Sequence, residues 1–390
     1  MSTESEFIPI MKPWMGEAEA EATRRPLLSG WVTQGPEVAA FETEFAGYTG
    51  AQHAVAVSNC TTALHLALLA VGMQPGDEVI TVSHSFIASA NSIVYCDAVP
   101  VFVDIDPHTY NIDPNLIEAA ITEKTAAILC VHQIGMPCDM QAILDIAYKH
   151  DLPVVEDAAC AIGSEIQFNG EWHKVGQAHG DIVCLSFHPR KVMTTGDGGM
   201  LTTNNPEYDK EFRLLRQHGM SVPDTKRHTA KEVIFEEYTQ LGYNYRMTDV
   251  QAAIGREQLK RLPEMVEKRR YFAHRYEEAL SEIDGLLTPQ EPDWARSNWQ
   301  SYSVRLPQNC DQKAVMQYML DHNIATRRGI MNAHSEPAYQ HIEWRKAGNL
   351  QHSEAAQQEC ILLPLFHEMT EEQQDRVVDN LAAAIKENAA

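Results

Sequence analysis

Basic residues are scarce in this chain. Its 390 residues carry 31 lysines and arginines against 54 aspartates and glutamates, a formal net charge of -23. So acidic a chain repels nucleic acid and anionic membrane overall, and neither is an expected partner. The charge itself reads as solubility, and an anionic substrate would need a local cationic pocket. Long apolar runs are missing, so no membrane span is expected. The eight cysteines (Cys60, Cys96, Cys130, Cys138, Cys160, Cys184, Cys310, Cys360) form no C-x-x-C pair. They read as reduced thiols of a cytoplasmic protein, several of them in apolar runs. The acidic first six residues lack a basic n-region and an apolar h-region, so no signal peptide is expected. Catalytic templates are missing too: H-E-x-x-H, G-x-S-x-G and Walker A do not occur. Gly196-Asp197-Gly198-Gly199 is not a G-x-G-x-x-G opening a helix. His334-Ser335-Glu336 has no P-C-x-x-C after it, which removes a zinc deaminase. No metal site, internal repeat or low-complexity segment is expected.

What is there is an ordinary globular composition, 44% hydrophobic and 22% charged, long enough for two domains. Short apolar runs at 54–57, 78–82, 99–103, 126–131 and 152–155 are rich in β-branched residues. They read as strands buried on both faces. Helical patterns lie between them at 61–69, 86–95, 113–121 and 139–150. The third of these opens on Asp113-Pro114, an N-cap followed by Pro at the first helical position. This alternation predicts an α/β fold with a mainly parallel sheet, whose ligands bind beyond the carboxyl ends of the strands. A long helix is expected from Asp249 to Leu280, a strand at 301–306, and helices at 311–322 and 370–386. Residues 220–240 show little periodicity and read as a mobile surface loop. The expected division is a large domain over 1–254, with an N-terminal substrate loop, and a smaller C-terminal α+β domain over 255–390.

One stretch stands out. Lys191 lies between an apolar strand at 181–187 and the turn Gly196-Asp197-Gly198-Gly199, with a second apolar strand at 200–203. A lysine held between packed elements is poorly hydrated, and its amine can lose its proton and attack a carbonyl carbon. Taken alone, Lys191 fits a solvated loop residue better than a catalyst. Glu156-Asp157 place two carboxylates at the end of a buried strand, where burial is costly without a cation or donor opposite. The protonated ring nitrogen of pyridoxal phosphate (PLP) is such a partner; a helix N-cap or structural ion pair would also account for Asp157. Ser58-Asn59-Cys60-Thr61-Thr62 joins a strand to a helix start. Its free N–H groups and hydroxyls suit a phosphate, though plain capping explains them equally well. Phe86, at the end of another strand, could stack on a planar ring or belong to the core.

With these residues in view, the chain resembles the DegT/DnrJ/EryC1/StrS family of sugar aminotransferases. The motifs that carry the resemblance are Gly30-Trp31-Val32-Thr33-Gln34-Gly35-Pro36, Ser58-Asn59 through Leu66, and Glu156-Asp157-Ala158-Ala159. The stretch 186–199 and Leu241-Gly242-Tyr243-Asn244-Tyr245-Arg246-Met247 complete them, so that nearly the whole chain is covered. The resemblance implies a fold type I PLP-transferase, with a mainly parallel seven-stranded sheet flanked by helices and a smaller C-terminal domain. It implies Lys191 as the Schiff-base lysine and proton carrier, Asp157 as partner of the pyridine nitrogen, and Phe86 as the stacking aromatic. Thr61, Thr62 and Ser186 match phosphate ligands. Asn244 matches a residue that reaches the cofactor of a neighbouring subunit, which implies a homodimer with shared sites. Trp31 and Thr33 lie on a substrate loop, and His334, Arg327 and Arg328 on a segment facing substrate. Two departures stand out: Cys160 replaces a glutamine that donates to the ring hydroxyl, and Cys60 replaces a glycine before Thr61. A branch with histidine in place of the lysine performs dehydration; Lys191 argues against it. The implied reaction moves an amino group from L-glutamate to a nucleotide-linked keto sugar of 4-keto-6-deoxy type, for surface polysaccharide or amino-sugar synthesis such as O-antigen. The alternatives are dehydration of the sugar, amination of another cyclic ketone such as an inosose or octulosonate, and a non-catalytic PLP- or sugar-binding regulator.

Overall fold

The structure is a computed structural model that describes residues 6–222, 227 and 230–388. Among the described residues fourteen strands occur in chain order: β1 His53–Val57, β2 Glu78–Val82, β3 Val99–Val103, β4 Thr125–Val131, β5 Val154–Asp157, β6 Glu165–Phe168, β7 Glu171–Lys174, β8 Ile182–Ser186, β9 Gly199–Thr203, β10 Ala295–Arg296, β11 Tyr302–Arg305, β12 Arg327–Arg328, β13 Arg345–Lys346 and β14 Cys360–Leu363. The helices are α1 Glu17–Ser29, α2 Pro36–Thr49, α3 Cys60–Ala70, α4 Ala88–Val94, α5 Pro114–Ala120, α6 Met140–Lys149, α7 Pro206–Leu215, α8 Asp249–Leu280, α9 Gln312–Asp321, α10 Gln351–Glu359 and α11 Glu371–Asn388.

The central sheet has the order β1-β9-β8-β5-β4-β2-β3-β13. Seven strands form its body, as expected, and the two-residue β13 adds an eighth at one edge. From β8 to β13 every pairing is parallel; β9 alone runs against its neighbours. The carboxyl ends of β1, β2, β4, β5 and β8 therefore share one edge. β2 and β8 are buried at every residue, which is why their sequences read as continuous apolar runs. Each buried Val, Leu or Ile contributes roughly 1.5–3 kcal/mol through the water it leaves.

Helix starts follow local chemistry. The Asp113 and Asp139 side chains accept the N–H of Asn115 and Ala142, and Thr248 accepts that of Gln251. α1 and α2 were not anticipated from the sequence. Gly16 and Gly35 precede them and offer no capping side chain. Glu42 of α2 is held in the interior by Arg213, at 2.8 Å, and by Arg216.

Beyond the central sheet, β11, β14 and β12 form a three-stranded antiparallel sheet. It shares an apolar core with α8, α9 and α11 that includes Tyr276, Tyr302, Val315 and Leu381. Ile8 joins the same core and exchanges backbone hydrogen bonds with Asn323 and Ala325. Position 254 falls within α8. Part of the stretch 220–240 lies outside the described residues, as do residues 1–5. Its described part carries an isolated bridge between Met220 and Tyr238. Among the described residues no helix is long and apolar enough to cross a membrane.

Candidate active site

The shared strand edge collects the residues with chemistry. Asp157 ends β5, Ser186 ends β8, Phe86 follows β2 by four residues, and α3 begins three residues after β1. The segment between β8 and β9 folds over this edge and carries Lys191. It is pinned by its own backbone: Lys191 N donates to His188 O at 2.8 Å and Thr195 N to Phe187 O at 3.0 Å. The return into β9 needs Gly199, because an added Cβ there would sit 2.5 Å from the Asn59 carbonyl carbon and 2.8 Å from Cys60 N. That close approach sets the lysine segment against the start of α3.

Lys191 Nζ donates to Cys160 Sγ at 3.0 Å. Burial is the largest influence on the amine and pushes it down. Cys160, Cys60 and Asp157 push it up and prevail, so the Lys191 amine lies above its ordinary value. Burial therefore does not act alone on this amine: the thiols and the carboxylate around it outweigh burial. The same closeness places Cys60, Cys160, Asp157 and Lys191 in one cluster, with the Cys60 thiol held far up by burial and by Asp157.

Asp157 is buried and has no cation within salt-bridge distance among the described residues. Its Oδ1 accepts the N–H of Ala159 at 3.1 Å and its Oδ2 the hydroxyl of Ser89 at 2.7 Å. A buried carboxylate with only two neutral donors is suited to one cationic partner more. At the start of α3, Asn59 Oδ1 accepts Thr62 N at 2.9 Å, and the Thr62 hydroxyl donates to Asn59 O at 2.7 Å. Thr62 is thus engaged in the cap. The Thr61 hydroxyl and the N–H groups of Cys60 and Thr61 have no protein partner among the described residues, and they point a helix N-terminus at this edge. The Ser186 hydroxyl accepts His188 N at 3.4 Å. Phe86 is 65% exposed. A group with a phosphate, a cationic ring nitrogen and a carbonyl carbon finds a donor set for each part here, so the residues fit PLP.

The remaining expected residues lie further out. Trp31 lies against Gly35, where an added Cβ would meet the indole at 1.9 Å, and Thr33 bridges to Thr248. Gln251, in the first turn of α8, donates to Asp197 O at 2.9 Å and ties that loop to the lysine segment. His334 Nδ1 bonds the Ser83 hydroxyl at 2.6 Å, and its Nε2 lies 3.5 Å from Glu354 Oε1. Ser83 is fully buried and also accepts His334 N, so this chain tethers the segment and offers no accessible nucleophile. Arg327 and Arg328 are exposed on β12, and Arg328 lies 3.7 Å from Glu336. No contact among the described residues joins either arginine to Lys191. Asn244 is exposed, its Oδ1 accepting from Arg246 at 3.2 Å, and it too is apart from Lys191 in its own chain.

Three supports hold these loops and carboxylates, and of their residues only Glu156 carried a sequence signal. Asn298 donates to Cys160 O at 2.8 Å and Ile162 O at 2.7 Å, and Gln300 donates to Arg190 O at 2.7 Å. These residues lie over a hundred positions from the loops they clamp. Ser89 is the second support. The third is Glu156, whose oxygens accept Gly180 N at 2.9 Å and meet His132 Nε2 at 3.0 Å. His132 Nδ1 accepts the Cys138 N–H at 2.9 Å, so the proton of the neutral ring sits on Nε2, and His132 N donates to Asp157 O. Burial pushes the Glu156 carboxyl up, but His132 and Gly180 outweigh it and hold it below its ordinary value. Its stabilisation is therefore present above the ordinary carboxylate value and is lost as pH falls through the depressed one. Glu156→Gln turns an amide N–H₂ toward one of two donors and should cost about 1–3 kcal/mol at neutral pH. Urea unfolding should show that gap closing on acidification.

A model of the DegT/DnrJ/EryC1/StrS aminotransferase family matches residues 13–382. The chain is 38% identical over 384 residues to the spore coat polysaccharide biosynthesis protein SpsC of Bacillus subtilis, covering 97% of each chain. It is 38% identical over 375 residues to the GDP-perosamine synthase of Caulobacter vibrioides, covering 95% of this chain and 96% of the relative. Among solved structures, the PLP form of the Streptococcus pneumoniae protein Spr1654, described as a sugar aminotransferase, superposes with a TM-score of 0.88 at 27% identity. That match covers 98% of this chain and 99% of the other.

Proposed function

Because the chain belongs to the DegT/DnrJ/EryC1/StrS aminotransferase family and is a PLP-dependent sugar aminotransferase, we propose that it moves the amino group of L-glutamate to a nucleotide-linked keto sugar, of the 4-keto-6-deoxy type, in the cytoplasm. The observation that carries this reading is the meeting of Lys191, Asp157 and the open N-terminus of α3 at one strand edge. The relative named for GDP-perosamine and the one named for spore coat polysaccharide support an amino sugar destined for a surface glycan.

When bound, PLP supplies an electron sink that stabilises negative charge on the carbon losing a proton. Lys191 would bind the cofactor's carbonyl carbon and afterwards carry the proton between donor carbon and cofactor carbon. Asp157 would hold the ring nitrogen's proton. Thr61, Ser186 and the α3 N–H groups would seat the phosphate, with Thr62 holding the cap that shapes them. Phe86 would cover one ring face and Cys160 would face the lysine and ring hydroxyl side. Trp31, Thr33, His334, Arg327 and Arg328 are proposed for the sugar nucleotide. Asn244 would serve the site of a second subunit. Its exposure, and that of Phe235 and Leu241 nearby at 88% and 82%, support a homodimer with shared sites. The division into 1–254 and 255–390 is supported in outline by the separate C-terminal core, which takes in Ile8 and the long helix from Phe272 on, while Leu259 to Val266 pack with the large domain.

The test is a panel of nucleotide-linked keto sugars offered with L-glutamate. Release of 2-oxoglutarate together with an amino sugar supports the reading. A deoxy-keto product without 2-oxoglutarate would replace it with dehydration. A narrower expectation concerns Cys160, which is only half-buried. Cys160→Gln should fold and bind PLP at least as tightly as the parent, read by spectrophotometric titration; a variant that unfolds would place the thiol in the core instead.

A further inference from the structure

Ser89 is almost fully buried, at 1% exposure, in the first turn of α4. Its hydroxyl gives its one proton to Asp157 Oδ2 at 2.7 Å. Since that proton is spent, the 2.9 Å contact between Ser85 Oγ and Ser89 Oγ has Ser85 as the donor. The backbone continues the chain: Ser89 N donates to Phe86 O at 3.1 Å, and Ser85 N to Ser83 O at 2.9 Å. One serine therefore ties the turn that carries Phe86 to the carboxylate of Asp157, across two parallel strands. Together with Ala159 N on Oδ1, it fixes the plane of that carboxylate. About two of the roughly four lone-pair directions remain for a cationic N–H.

We infer that Ser89 is a positioning residue for the cofactor: it aims the Asp157 carboxylate at the ring nitrogen and locks the Phe86 turn in the matching orientation. This rests on the assignment of Asp157 to that nitrogen. A hydrogen bond to a charged group is worth more than one between neutral groups, and a second partner of this kind sharpens both orientation and charge.

The experiment uses the full-length protein with ring-¹⁵N-labelled PLP. Ser89→Ala should bind PLP about tenfold more weakly. The labelled nitrogen should lose its proton at lower pH than in the parent, read by NMR. kcat should fall while KM for L-glutamate stays the same. Ser89→Cys keeps the volume with a weaker donor and should fall between the two; it also serves should the alanine protein not fold. Unchanged affinity and nitrogen titration in either folded variant would overturn the inference. Asp157→Asn separates the two levels. If it shifts the nitrogen and the Ser89 variants do not, only the positioning role fails. If it leaves the nitrogen unmoved, the assignment of Asp157 fails first.

Discussion

Lys191→Ala should abolish turnover, with release of 2-oxoglutarate from L-glutamate falling by at least about 10⁴-fold. Two roles would be lost together. The lysine is the only group in the site cluster that can form an imine, and its companions Cys60, Cys160 and Asp157 offer thiols and a carboxylate. It is also the group placed to return a proton, and no hydroxyl or imidazole in that cluster could replace it. PLP itself should remain bound, though more loosely, because the α3 N-terminus, Thr61 and Asp157 are untouched by the change. The variant should therefore carry cofactor that borohydride no longer fixes to the chain, whereas the parent is fixed at residue 191. A small added amine should restore part of the rate by forming the imine and carrying the proton in place of the side chain. Parent-like turnover without added amine would remove Lys191 from the chemistry.

The same residue shows what was legible from sequence and what was not. Lys191, Asp157 and the start of α3 could be brought together because each closes a short apolar run, and parallel strands put such ends on one edge. The cap read at Asp113 holds for a local reason, its side chain bonding the N–H of Asn115, and the helical patterns that begin at 139 and 311 open in the structure on the same kind of cap. The charge state of Lys191 was not legible. Burial could be guessed, but the 3.0 Å contact to Cys160, thirty-one residues away, decides the direction and exists only once β5 and β8 are neighbours. Thr61 and Thr62 look interchangeable in sequence. Folding distinguishes them, since helical geometry turns Thr62 back onto Asn59 and leaves the Thr61 hydroxyl without a protein partner among the described residues. Asn298, Gln300 and Ser89 act through one or two side-chain hydrogen bonds over long separations, which no period or spacing records.

Asp157→Asn should lower kcat by about 10²–10³-fold, the equivalent of removing one partner from a buried charged pair. The fold should persist, because the amide matches the carboxylate in size and its oxygen can still accept from Ser89 or Ala159. What changes is the sign at the ring. An amide has one acceptor oxygen, and two protein donors already compete for the two oxygens present now. The amide nitrogen must then face either a protein N–H, the serine hydroxyl or the ring nitrogen. The protein N–H repels it, whereas the serine hydroxyl and the unprotonated ring nitrogen can each accept from it, and donation to the ring holds the ring in its neutral form. A neutral ring is a poor electron sink, so proton removal from the donor carbon becomes rate-limiting. The deuterium isotope effect for L-glutamate labelled at that carbon should rise in Asp157→Asn, and KM for L-glutamate should move little. A large loss of affinity with an unchanged isotope effect would instead assign Asp157 to holding the fold of the site.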